Sequence, residues 1–176
     1  MLQLRCTAKV RTYFGLKDRD LAEPVANASP LGAWYVNLIT LGRRKAFIYM
    51  SDRTLLSFII FGVRKDNAEK VAEKLRFGLG QLLFQSGLEI GVIEAALAAT
   101  EGCEFTKTDS AKLLGNLNDL TSLYQHCIAD GGGLEFCNLG EIIALANRTP
   151  QRNLGWGHSI DVAKELLEGH ARRLTA

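Results

Sequence analysis

Three apolar segments, "AWYVNLITL" (33–41), "KAFIYM" (45–50) and "TLLSFIIFG" (54–62), stand almost back to back and constrain the fold more than any other feature. Their aromatic and β-branched residues suit a pleated surface. The links, "GRR" near residues 42–44 and "SDR" at 51–53, are too short for anything but antiparallel neighbours, so a β-meander is expected. Side chains alternate along a strand: Trp34, Val36 and Leu38 face one way, Tyr35, Ile39 and Leu41 the other. Both sets are apolar. Such a sheet has to be covered on both faces, by helices or by a second copy of the chain in a homodimer.

The flanking sequence supplies that cover. "LQLRCT" (2–7) alternates apolar and polar residues as a half-buried strand does, and "AKVRTYFGL", with Ala8, Lys9, Arg11 and Thr12, allows a short helix that Gly15 can end. Residues 17–32 hold two of the three prolines and read as a long loop. After the meander, "DNAEKVAEKLRFGLGQLLFQS" begins with Asp66 and Glu69, a D-x-x-E capping pattern, and carries Ala68, Val71, Ala72, Leu75, Leu79, Leu82 and Leu83 on one stripe. Gly78 and Gly80 weaken that helix unless they let it approach the sheet, and Gly87 is a natural stop. A second helix is expected over 89–100 and an edge strand at "CEFTKT" (103–108). A long helix capped by Asp109 or Ser110 carries Leu113, Leu117, Leu120, Tyr124 and Cys127 inward, and "DGGG" (130–133) breaks it. Asn138 caps a short helix before Pro150, and Ser159 caps the last one, 160–173. The expectation is one α+β domain spanning 1–176, mostly sheet over 1–62 and mostly helical over 63–176: a mainly antiparallel β-meander sheet of four or five strands packed against several C-terminal helices.

Composition removes several function classes. Twenty-one cations against 19 anions leave a net charge of +2, without the basic excess of a dedicated nucleic-acid binder. An apolar fraction of 47% is that of a globular chain. No stretch approaches the length a membrane helix needs, and the N-terminus lacks a secretory pattern, so a cytoplasmic protein with no membrane partner is expected. Cys6, Cys103, Cys127 and Cys137 match no zinc spacing and read as free thiols; no metal and no cofactor is expected. "GWGHSI" (155–160) lacks the third glycine and the preceding strand of a dinucleotide-binding turn, and reads as a turn into a helix. No Walker loop, H-E-x-x-H or G-x-S-x-G occurs. His126 and Cys127 diverge by about 100° on a helix and do not chelate one ion together. Catalytic residues therefore remain unknown at this level.

The polar features left over are Arg43, Arg44 and Lys45 at the mouth of the second strand, with Arg5 and Lys9 near the first. Alternation puts Arg43 and Lys45 on one side and Arg44 on the other. Three explanations compete: solvated hairpin-end cations, an ion pair with Asp52, Asp119 or another acid, and a site for an anion. "GNLND" (115–119) adds Asn118 and Asp119, weak helix formers on the outer side of a helix.

"RCTAK" (5–9), "PLGAWYVNLITLGRRKAFIYMSDRTLLSFIIFG" (30–62), "LLGNLNDL" (113–120) and "LANRTP" (145–150) together resemble a bacterial family classed only as a domain of unknown function. The resemblance rests on Arg5, Cys6, Thr7, Lys9, Trp34, Asn37, Arg44, Lys45, Thr54, Ser57, Gly115, Leu117, Asn118, Asp119, Asn147 and Pro150. It implies a strand, a meander and then helices, and carries no activity. The residues point first to a non-catalytic binding or interaction module. Arg5, Lys9, Arg43, Arg44, Lys45, Asn118 and Asp119 would hold an acidic protein partner or nucleic acid. The alternative is a small enzyme for a phosphorylated or carboxylated substrate, with Arg5, Lys9 and Arg44 holding the anion and Asp119 as base.

Overall fold

A computed structural model describes residues 1–62 and 68–175. The meander forms as expected. Strands β2 (Trp34–Leu41), β3 (Arg44–Ser51) and β4 (Ser57–Phe61) pair antiparallel, in registers that match Leu41 to Arg44 and Met50 to Ser57. Gly42 and Arg43 make the two-residue turn, and Gly42 takes φ 60°, the left-handed value that the first position of a II′-type hairpin turn requires.

The rest of the sheet is parallel. Strand β1 (Leu2–Cys6) lies parallel to β2, and β5 (Cys103–Lys107) lies parallel to β1, giving five strands in the order β4-β3-β2-β1-β5. The sheet is thus mixed, not mainly antiparallel, and the strand expected at 103–108 forms its edge. The cause lies in the connections. The chain leaves β1 through α1 (Ala8–Phe14) and the long 15–33 segment, which crosses over the sheet and returns in the same direction. Helices α2 (Lys70–Gln85) and α3 (Ile90–Ala98) likewise separate β4 from β5. Strand β1 consequently sits between two neighbours and is buried along its whole length, Gln3 and Arg5 included, where alternation predicted a half-exposed strand. Gln3 stays satisfied because its amide donates to Glu23 O (3.0 Å) and Glu104 Oε1 (2.8 Å) and accepts from Val25 N (3.0 Å). The long loop therefore closes over this strand.

Both apolar faces are covered by the chain's own helices. Leu4, Trp34, Val36, Phe47, Tyr49 and Phe58 pack against α1, α2 and α3, with α6 (Ser159–Thr175) contributing Ile160, Ala163 and Leu167. Tyr35, Ile39, Ile48, Met50 and Ile59 pack under α4 (Ala111–Asp130) and α5 (Leu139–Arg148). Each large apolar side chain withdrawn from water in these layers contributes about 1.5–3 kcal/mol. Gly78 allows α2 to lie on the sheet: a Cβ there would overlap the ring of Phe58 and the end of Ile60. Asn147 clamps α5 to β4, its Oδ1 accepting from Ser57 N (2.8 Å) and its Nδ2 donating to Ser57 O (2.7 Å). Ser57 Oγ shares a hydrogen bond with Tyr124 of α4 (3.0 Å).

The helix ends follow the sequence with one correction, at Ser159. Ser110, not Asp109, caps α4 by accepting from Leu113 N, and Asn138 caps α5 by accepting from Glu141 N. Ser159 is already inside α6, and its buried Oγ has no partner among the described residues. The Asp66–Glu69 capping pattern reaches outside the described residues. Between α5 and α6 a small ribbon pairs β6 (Pro150–Gln151) with β7 (Gly157–His158). Among the described residues, no helix is long and apolar enough to cross a membrane.

Candidate functional site

Strands β1 and β5 run side by side, yet the helices that follow them leave on opposite faces of the sheet, α1 with the first core and α4 with the second. Such divergence opens a crevice beyond the carboxyl ends of parallel strands. Here the chain stitches it shut with polar bonds. Thr7 Oγ1 donates to Asn37 Oδ1 (3.1 Å), and Asn37 Nδ2 donates to Thr121 Oγ1 on α4 (3.2 Å). One strand residue thereby ties the start of α1 to the middle of α4.

Arg5 closes the same region from beneath. Its guanidinium forms an ion pair with Asp109 and donates to Val25 O (2.9 Å), while the hydroxyl of Tyr35 donates to the same carboxylate. The guanidinium also lies 5.8 Å from the centre of the Tyr35 ring. Burial pushes Asp109 upward, but the hydrogen bonds from Tyr35 and Arg5 outweigh it and hold the carboxyl below its usual range. Burial, reinforced by the bond to Asp109, pushes the Tyr35 phenol up to about 12. Tyr35 therefore stays a neutral donor and Asp109 stays charged, an arrangement that fixes the entry to α4. Arg5, expected among the ligand-holding cations, has given its charge to Asp109. Asp109 carried no sign of this role in the sequence beyond its place next to a helix cap.

The other expected cations gather at the hairpin end and remain open. Lys9 and Lys45 line a cleft of about 750 Å³ with Thr12, Tyr13, Thr121 and Gln125. Lys45 Nζ sits 4.7 Å above the Tyr13 ring. Arg43 and Arg44 line a second cleft of about 520 Å³, floored by Leu41, Ile128, Ala129 and Leu134 and bordered by one acid, Glu135. Gln125 lines both clefts, so they adjoin across one flank of α4. All four cations are exposed, and none forms an ion pair among the described residues. The alternation rule placed Arg43 with Lys45. The structure groups it with Arg44, because Arg43 occupies the turn, where the pleat no longer sets direction.

Asn118 precedes Thr121 by three residues and Gln125 by seven, which puts it on their flank of α4; it is exposed. Asp119 turns about 100° further round, is exposed, and lines neither cleft. Thr121 and Gln125 were missed in the sequence, although their spacing from Asn118 was a readable signal. Of the residues carrying the family resemblance, Arg5, Thr7, Asn37, Ser57 and Asn147 are used up in bonds between layers. Lys9, Arg44, Lys45, Asn118 and Asp119 face water. No group of three His, Cys, Asp or Glu side chains among the described residues is placed to hold a metal ion.

No curated protein matches the chain. The model of one family, described as a domain of unknown function (DUF6933), matches residues 3–162, and the chain belongs to that family.

Proposed function

We propose that this protein is a non-catalytic binding module that grips an anionic partner, an acidic protein segment or a nucleic acid, at the end of the β2–β3 hairpin. The observation that carries this reading is the set Lys9, Arg43, Arg44 and Lys45. Four cations are gathered at the mouths of two adjoining clefts, and no acid of the chain among the described residues pairs with them. Like charges collected on one rim repel one another, and an anionic partner relieves that repulsion. Arginine forks match carboxylates and phosphates in two-point contacts, and the apolar floor beneath Arg43 and Arg44 adds area for a partner with an apolar group beside its charge.

The test measures binding of a labelled polyglutamate peptide and of a labelled DNA duplex at low and high salt. Affinity for the true class of partner falls steeply as salt rises. Replacing Arg43, Arg44 and Lys45 together by Ala is expected to weaken that binding. For the duplex it lowers the slope of log affinity against log salt by about 2–3. Absence of binding to either probe, or equal binding by the triple variant, removes the reading.

A further inference from the structure

The segment around "GWGHSI" fits no nucleotide motif and plays no part at the hairpin end. Its backbone is nonetheless unusual. Trp156 takes φ 66°, in the left-handed region that bulky residues avoid. Leu55 does the same at φ 56°, but Leu55 is only 2% exposed and its side chain fills the second core, so burial offsets the strain. Trp156 is 67% exposed, and burial offsets little of it.

The surrounding chain enforces the conformation. Trp156 N donates to Gln151 O (3.0 Å), and Gly155 N donates to Arg152 O (3.2 Å). Gln151 pairs with Gly157, Asn153 Nδ2 donates to Asn116 Oδ1 on α4 (2.7 Å), and Leu154 packs against the second core. Strain held this firmly at a residue whose large side chain is left in water marks the turn as a candidate for contacts outside the chain. The local charge indicates what kind. From Ile142 to Ile160 there is no acidic residue, while Arg148 and Arg152 are both exposed. An open indole stacks a flat base, and the exposed arginines that precede it in the chain, Arg152 by four residues and Arg148 by eight, supply charge for phosphates.

We propose that the turn between β6 and β7 is a binding point for single-stranded nucleic acid, in which Trp156 stacks a base and Arg148 and Arg152 contact the flanking phosphates. This site uses none of the hairpin-end residues and stands apart from that reading.

The chain has two tryptophans, and Trp34 is fully buried, so a change of indole emission on adding ligand reports Trp156. Oligo(dT) is expected to quench the emission of the full chain. Trp156→Gly is expected to weaken binding roughly 5- to 100-fold, while Trp156→Phe keeps most of it. An abasic strand of equal length, which keeps the phosphates and lacks the stacking faces, is expected to bind both proteins alike. Glycine removes the left-handed strain, so the Gly variant folds, and its melting curve verifies that. The same loss is expected in a background where Arg43, Arg44 and Lys45 are already Ala, which separates this site from the hairpin end. Three results overturn the proposal: undiminished oligo(dT) binding by Trp156→Gly, no binding by the unaltered chain, or quenching by polyglutamate equal to that by oligo(dT). A fourth is association of the protein with itself that Trp156→Gly abolishes, which assigns the indole to a second copy.

Discussion

Leu55 and Trp156 occupy nearly the same backbone region, at φ 56° and 66°, with opposite surroundings. The left-handed conformation costs a side-chain-bearing residue about 1–2 kcal/mol. At Leu55 a buried side chain worth about 2–5 kcal/mol when truncated outweighs that cost. At Trp156 little opposes it. Leu55→Gly is therefore expected to lower stability by about 1–3 kcal/mol, and Trp156→Gly to raise it by roughly 0.5–1 kcal/mol. Urea unfolding of the two variants beside the unaltered chain decides the signs. A destabilised Trp156→Gly variant would mean that the indole packs on the chain more than its exposure indicates. Stability and binding are expected to move in opposite directions at this residue, as where strain is kept for contact with a partner.

At the scale of elements, α2 shows how a local preference yields to packing. Glycine is a poor helix former, and Gly78→Ala in an isolated helix would gain about 1 kcal/mol. In the fold Gly78 faces the ring of Phe58, which is itself buried and has no room to swing aside. Gly78→Ala is accordingly expected to cost about 1–3 kcal/mol through overpacking, read as a lower denaturation midpoint. A stabilised variant would place α2 further from the sheet. Gly80 meets only Leu97, with 3.5 Å to a built Cβ, so Gly80→Ala serves as the control in which propensity wins. Helix α4 divides its labour by face. Leu117, Leu120, Tyr124 and Ile128 enter the core, Asn116 faces the β6–β7 ribbon through Asn153, and Thr121 and Gln125 face the hairpin clefts. One helix therefore borders both candidate binding regions on opposite flanks.

For the molecule as a whole, two carboxylates near Arg5 oppose each other as pH changes. Asp109 has a folded-state pKa below its usual 3.8, so it adds stability above that value and loses it as pH falls through the lowered one. Asp52 is shifted the other way, chiefly by burial, with an N–H of Ala33 and the charge of Arg5 only partly compensating, and its Oδ1 has no partner among the described residues. Its contribution is fully present below 3.8 and is lost as pH rises through the raised value. Asp109→Asn is thus expected to destabilise at neutral pH and to converge on the unaltered chain in acid. The loss is about 1–2 kcal/mol, less than for a fully buried pair because the Asp109 side chain keeps 37% of its surface exposed. Asp52→Asn is expected to stabilise at neutral pH and to lose that advantage near pH 4. Thermal melts of both variants between pH 3 and 7 test the crossed pattern; parallel profiles contradict it.

The sequence by itself determined the meander, its two apolar faces, and the helices, with the cap at Asn138 and, as one of two candidates, that at Ser110. These follow from periodicity and from side chains that bond to backbone a few residues away, both local properties. It also placed three cations beside a tight turn, and left open whether they face water, pair with an acid or hold an anion. Only the tertiary structure decided that β1 runs parallel between β2 and β5, because a crossover and a hairpin differ in where the chain returns, not in the strands they join. Only the structure separated Arg5 from Lys9, Arg43, Arg44 and Lys45. Arg5 meets Asp109 from 104 residues away through the parallel placing of β5 and the turn into α4. The strain at Trp156 was equally hidden, because its φ is imposed by hydrogen bonds to Gln151 and by the anchoring of Asn153 on α4, contacts that exist only once the fold is closed.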